Sequence, residues 1–446
     1  MKRIVFPVAA IILLSMLLSA CGGGNDTSPP STFSLASSVS NLTASGLVLS
    51  NGTETISVAP GANSVTFPTK LLSGTTYNVS IASQPQGFTD ICVLNNGAGT
   101  VSNSNVTNIA VSCHAAKAMV TTFAGSGVMG STDGIGTATS FNSPGRLAVD
   151  ASGNVYVADS GNNLIRKITP AGIVTKLAGS GAPGNKDGAG SAASFNNPGG
   201  VAVDKSGNVY VADSRNNLIR KITPGGVVTT LAGSGNYNSA NGMGAAASFA
   251  FPTDVSVDAA GNVYVADASN NMIRKVTPTG LVTTYAGSGS PDKPVFGNGP
   301  AYAAAFEFPD SVTVDAVGNV YVADTLNNSI REITTAGIVT SLAGDIYGKR
   351  GSADGAGTAA TFLAPNGVVV DTAGNVYVVD SGNRLIRKID ARGTVTTIAG
   401  NASNTDSDGI GIAASFRHPV GIALDSAGNI YISDSESHLI RKISAQ

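Results

Sequence analysis

Few side chains in this sequence could act once per molecule. Among 446 residues there are 3 histidines, and charged residues make up 12%. The polar candidates gather around loop prolines as Arg146, Asp254, Glu307, Asp310, Arg417 and His418, and isolated aromatics stand at Tyr237, Phe296, Tyr302 and Tyr347. Aromatic faces with a few convergent polar groups make interface anchors and sugar-stacking platforms. The candidate ligand-binding set is therefore Tyr237, Asp254, Phe296, Tyr302, Asp310, Tyr347 and Arg146. Asp254, Glu307 and Asp310 also form a carboxylate set suited to a divalent cation such as calcium. His114, His418 and His438 are too few within one region for a three-histidine zinc site. No nucleophile motif or phosphate-binding loop is visible, and no cofactor is implied beyond that cation.

These residues are carried by a repeat. The stretch Asp150 to Gly181 returns five more times, and its central tyrosine recurs as Tyr156, Tyr210, Tyr264, Tyr321, Tyr377 and Tyr431, spaced 54, 54, 57, 56 and 54 residues apart. A fixed period of this size marks a modular array such as a propeller or solenoid. Each period holds four short runs rich in Val, Ile, Thr or Tyr, for example GVAVD, NVYVAD, LIRKI and VVTTLAG in the second copy. They are bounded by Gly, Asn, Asp or Pro and read as strands a to d of an antiparallel sheet. The middle of strand a is small in most copies, at Ala148, Ala202, Ser256, Thr313 and Ala423, with Val369 the exception. That suits an innermost strand converging on an axis.

Pro198, Gly200 to Asp204, Gly207 to Asp213 and Asn217 to Arg220 reproduce the signature of the NHL repeat family, and all six copies resemble it closely. The resemblance covers residues 119–446 and implies an all-β, six-bladed propeller of four-stranded antiparallel blades. It does not choose a function, because the same scaffold carries binding and catalytic members. The last copy stops after strand c, while an orphan strand-d sequence, Val120 to Gly125, precedes the first strand a. Pairing the two is expected to close the ring and remove two sheet edges.

Residues present in every copy read as blade construction. These are the Asp ending strand b (Asp159 and its equivalents), the strand-c Arg (Arg166 and its equivalents), the loop Asx at Asp133, Asp187, Asn241, Asn298, Asp354 and Asp408, and the Phe eight positions later. The length variation lies between strand d and the next strand a, longest before the fourth and fifth copies. Insertions of this kind sit on loops held by a rigid scaffold.

Upstream, residues 1–20 have a basic start and an apolar run that reads as a secretory signal. The run ends in Leu18-Ser19-Ala20-Cys21, which resembles the lipobox of bacterial lipoproteins and implies lipidation of Cys21. Gly22 after that cysteine favours, by the same resemblance, the outer membrane. Residues 21–32 read as a flexible tether. Residues 33–115 hold six or seven alternating runs expected to form a small immunoglobulin-like β-sandwich. Cys92 and Cys113 both fall in expected strands of this exported segment and are read as a disulfide. A net charge of −2 lacks the electrostatic footprint of a nucleic-acid binder. The leading expectation is a monomeric, lipid-anchored binding or scaffold module for a protein or glycan of the cell envelope. The alternative is a gluconolactonase-like propeller hydrolase or lyase with a divalent metal in the central channel.

Overall fold

The computed structural model describes residues 30–85, 87–289 and 298–446. Cys21 and Phe296 lie outside the described residues.

The first domain contains two four-stranded sheets. One runs Ser64–Thr66, Leu35–Ser40, Val106–Ala115, Asp90–Asn95, and the other Glu54–Ser57, Val48–Asn51, Thr76–Ser83, Ala98–Thr100. Alternation along these strands turns Leu35, Leu49, Val79 and Ile109 into one shared apolar core, which Phe67 joins from just past Thr66. Val106–Ala115 runs parallel to Leu35–Ser40 and antiparallel to Asp90–Asn95. That second pairing sets Cys113 directly opposite Cys92, and the two are joined as a disulfide.

The repeats form six antiparallel sheets of the β-propeller kind, each with five strands where four were expected. In the first sheet strands a to d are Pro144–Val149, Val155–Asp159, Leu164–Ile168 and Ile173–Ala178. The fifth is the two-residue Gly134–Ile135, drawn from the loop before strand a and paired outside strand d. So short a piece, half of it glycine, carries no strand signature, yet it covers the outer edge of its sheet. Strand b is buried along its whole length in all six sheets. In the turn after strand a, Asp150 accepts the backbone N–H of Ser152 and Asn154, both at 2.9 Å, and Gly153 takes φ +79°.

The six strands a touch one another in sequence, Pro144–Val149 meeting Pro419–Leu424 as well as Gly200–Val203. Ala118–Ala124 supplies the strand-d position of the sheet that holds Leu439–Ala445, pairing antiparallel with it. The exchange continues past both strands, where Lys117 and Gln446 exchange backbone hydrogen bonds of 2.8 and 2.9 Å.

The first domain touches the fifth sheet through one loop. Lys388 Nζ donates to Gly87 O at 2.7 Å, and the Phe88 ring meets Tyr377 edge-on with centroids 6.3 Å apart. In four other sheets the equivalent lysine lies over its own tyrosine, as Lys167 does over Tyr156 at 5.5 Å.

Candidate functional site

The repeated charges are structural. Arg166 is fully buried, with Nη1 3.0 Å from Asp159 Oδ2 and Nη2 2.6 Å from Asp133 Oδ1. Asp159 also accepts Asn142 N and Asn162 Nδ2, each at 2.8 Å. The guanidinium lies 5.3 Å above the Phe141 ring. The loop phenylalanine is thus the floor under a buried arginine, a cation–π partner, and it also packs in an apolar cluster shared by two neighbouring sheets. The same Arg over Phe recurs in all six sheets at 5.2 to 5.5 Å. This unit pins each long loop to the b–c link of its own sheet, so both emerge on one face.

The strands a of all six sheets line an axial cavity of about 170 Å³. Two residues past the strand-a proline the copies carry Arg146, Gly200, Asp254, Ser311, Gly367 and Gly421. A Cβ on Gly200 would lie 2.5 Å from Asp254 Oδ1, and one on Gly421 would lie 2.7 Å from Arg146 Cα. Glycines at these places clear the room that Arg146 crosses. Its Nη2 reaches Asp310 Oδ2 at 2.8 Å and Asn366 O at 3.2 Å, its Nη1 reaches Thr253 O at 3.4 Å, and its Nε lies 3.6 Å from Asp254 Oδ2. Asp254 also accepts Ser311 Oγ at 2.6 Å and Val312 N at 3.1 Å. Burial pushes its carboxyl up to about 6, against the opposing pull of Arg146 and these donors. Below this charged layer the wall carries Ala148, Ala202, Ser256, Thr313, Val369 and Ala423, mostly small side chains.

Three of the residues expected to bind a ligand, Arg146, Asp254 and Asp310, are therefore brought together, but onto one another. All three are buried. The proposed carboxylate set of Asp254, Glu307 and Asp310 does not fit a divalent cation here. Arg146 already occupies the space between the two aspartates, and no group of three metal-ligating side chains occurs among the described residues. Glu307 is instead part of the frame, its backbone N donating to Asp324 at 2.8 Å.

Tyr237 and Tyr347 stand free on the long loops, 66% and 84% exposed. Tyr237 forms a β-bridge with Phe249, the position held by Met129, Pro183 and Arg350 in three other copies. Tyr347 sits in a turn whose Gly348 O accepts Asn328 Nδ2 at 3.1 Å, from the neighbouring b–c link. Tyr302 is exposed but elsewhere. Ala301 N donates to Gly337 O in the c–d turn of its sheet, so Tyr302 sits on the outer rim, where other copies have Thr137 or Ile412.

A model of the NHL repeat matches residues 141–168, 195–222, 249–275 and 416–443, each stretch running from the loop phenylalanine through strand c. The chain carries NHL repeats. It is 29% identical over 338 residues to NHL repeat-containing protein 2 of Bos taurus, covering 67% of this chain and 46% of that protein. It is also 29% identical over 318 residues to Protein SUPPRESSOR OF QUENCHING 1, chloroplastic, of Arabidopsis thaliana, covering 67% of this chain and 30% of that protein. The chain thus spans less than half the length of these relatives. Two solved structures share the fold. One is a structural genomics protein of unknown function from Bacteroides thetaiotaomicron (TM-score 0.58, 20% identity, 90% of each chain), the other an auxiliary nutrient binding protein from Bacteroides ovatus (TM-score 0.56, 18% identity, 90% of this chain and 91% of that one).

Proposed function

We propose that the six sheets form a closed six-bladed NHL propeller, carried behind an immunoglobulin-like sandwich on an exported chain lipidated at Cys21 and anchored in the outer membrane. Its role is to bind a protein or glycan of the cell envelope through the long-loop face. The observation that carries this reading is the division of labour among side chains. The repeated charges hold the blades, and Arg146, Asp254 and Asp310 hold one another. Tyr237 and Tyr347 remain, unrepeated and solvent-facing, on loops pinned to the buried frame. Rigid aromatics bind at low entropic cost. Ligand binding is also the role named for the Bacteroides ovatus structural neighbour.

The test is a Tyr237→Ser/Tyr347→Ser double variant applied to an envelope extract and to a panel of immobilised envelope glycans. Exposed loop substitutions change stability by about 0.5 kcal/mol or less, so the variant is expected to melt like the parent and to retain the ligand poorly. Undiminished retention by the double variant ends the proposal.

A further inference from the structure

One junction between sheets departs from the other five. In the b–c link of each sheet one residue takes a left-handed conformation: Asn163, Asn217, Asn271, Asn328, Arg384 and His438, with φ from 52° to 58°. In five of them the side chain accepts a backbone N–H from the next long loop. Asn163 accepts Asn197 N at 2.8 Å, Asn217 accepts Phe251 N at 2.9 Å, Asn271 accepts Phe308 N at 2.8 Å, Asn328 accepts Ala364 N at 2.9 Å, and His438 Nδ1 accepts Ser143 N at 3.1 Å. The donating residues Asn197, Phe251, Phe308, Ala364 and Ser143 are themselves held at positive φ.

Arg384 has no acceptor to offer. The residue it faces, His418, is absent from the positive-φ set, and its N–H turns back to Asp434 Oδ1 of its own sheet at 2.8 Å, while Arg417 N donates to Asp434 Oδ2 at 3.0 Å. With both N–H groups on Asp434, the Arg441 Nη1 to Asp434 separation opens to 3.9 Å, against 2.8 to 3.1 Å in the other five sheets. Ser435 differs as well. Its equivalents Ser160 and Ser381 donate to the carbonyl of the next strand-a proline, whereas Ser435 Oγ meets His418 Nδ1 at 2.9 Å and His418 O at 3.1 Å.

The result is an accessible patch in which the guanidiniums of Arg384 and Arg417 lie beside the bonded pair His418 and Ser435. The Arg384 guanidinium is held by two carbonyls, Arg417 O at 2.9 Å and Ala402 O at 3.5 Å, and among the described residues no carboxylate pairs with it. Arg417 is about half exposed, with Asp406 as a distant partner at 3.8 Å. We infer that Arg384 and Arg417, beside the His418–Ser435 pair, form a phosphate-binding site on the long-loop face, distinct from the tyrosines of the proposed ligand surface and independent of that reading. Paired arginine forks are the donors that a tetrahedral oxyanion takes up. The phosphate would be borne either by a soluble sugar phosphate or by a lipid head group.

The probe is inorganic phosphate, titrated calorimetrically into the full chain in detergent. Uptake with Kd of about 1 mM or tighter is expected for the wild type. Arg384→Asn restores the residue found in four other copies, so it is expected to fold and to weaken phosphate roughly tenfold or more. Glu436→Gln removes the exposed acid of the adjoining link and is expected to tighten it. Displacement of the bound phosphate by glucose 1-phosphate points to a soluble sugar phosphate and displacement by short-chain phosphatidylglycerol to a lipid head group, whereas displacement by neither overturns the assignment. Failure of the wild type to take up phosphate, or equal uptake by a folded Arg384→Asn variant, overturns the assignment.

Discussion

Arg146 Nη2 and Asp310 Oδ2 lie 2.8 Å apart across the axis of the sheets, although 164 positions separate them in the sequence (310 − 146). The first and fourth repeats are thereby joined directly. With Thr253 O and Asn366 O also bound, one side chain touches the third, fourth and fifth repeats.

Replacing Arg146 by Met is expected to strand two buried aspartates. Removing one partner of a buried ion pair costs about 3 to 5 kcal/mol, so the melting temperature should fall sharply. Adding Asp254→Asn and Asp310→Asn should recover part of the loss. A single Arg146→Met variant that melts with the wild type would show that the cluster does not hold the repeats together.

The same cluster sets a pH dependence. The Asp254 carboxyl, at about 6 when folded, lies above its ordinary 3.8. The folded state therefore holds this proton more tightly than the unfolded chain. The contribution to stability is fully present below 3.8 and is lost as pH rises through 6. Urea midpoints of the wild type, referenced to Asp254→Asn, should fall between pH 4 and pH 7. A difference that is flat or rises across that range contradicts the expectation.

The repeat, its strands and the exchange of the first strand into the last sheet were legible because each is written locally, as period-2 runs and turn residues or as one missing strand. The meeting of Arg146 with Asp310 was not, because it is fixed by how six repeats converge and not by any one of them. A signal was present in the column formed by Arg146, Gly200, Asp254, Ser311, Gly367 and Gly421. Three glycines where the strands crowd together leave space that a long side chain fills. The rim position of Tyr302 was not legible either, for a related reason. Loop length says that residues protrude, whereas the Ala301 to Gly337 hydrogen bond decides that they protrude at the rim.

The contact between domains should be severable. Phe88→Ala with Lys388→Met removes the ring contact with Tyr377 and the bond to Gly87. Calorimetry is expected to resolve separate transitions for the two domains in this variant and a more concerted unfolding in the wild type. Identical thermograms would mean that this loop does not couple the domains.

The disulfide gives an independent handle on the first domain. Cys92 and Cys113 close a loop of 21 residues, worth on the order of 3 kcal/mol through the unfolded chain. In the uncoupled Phe88→Ala/Lys388→Met background, replacing both by Ser should lower the transition of the first domain and leave that of the propeller in place. Co-migration of both transitions to lower temperature would argue against separate cores.

The pairing of Ala118–Ala124 with Leu439–Ala445 also governs the order of events during synthesis. Thr121 and its partner Lys442 are 321 residues apart, so a strand made early must wait for nearly the whole repeat region before its neighbour exists. Contacts of such range form slowly. Throughout that interval Val120, which ends wholly buried, has no sheet to enter. A chain stalled or cut anywhere before the last strand keeps an open edge at each side of the array, ready to pair with another molecule.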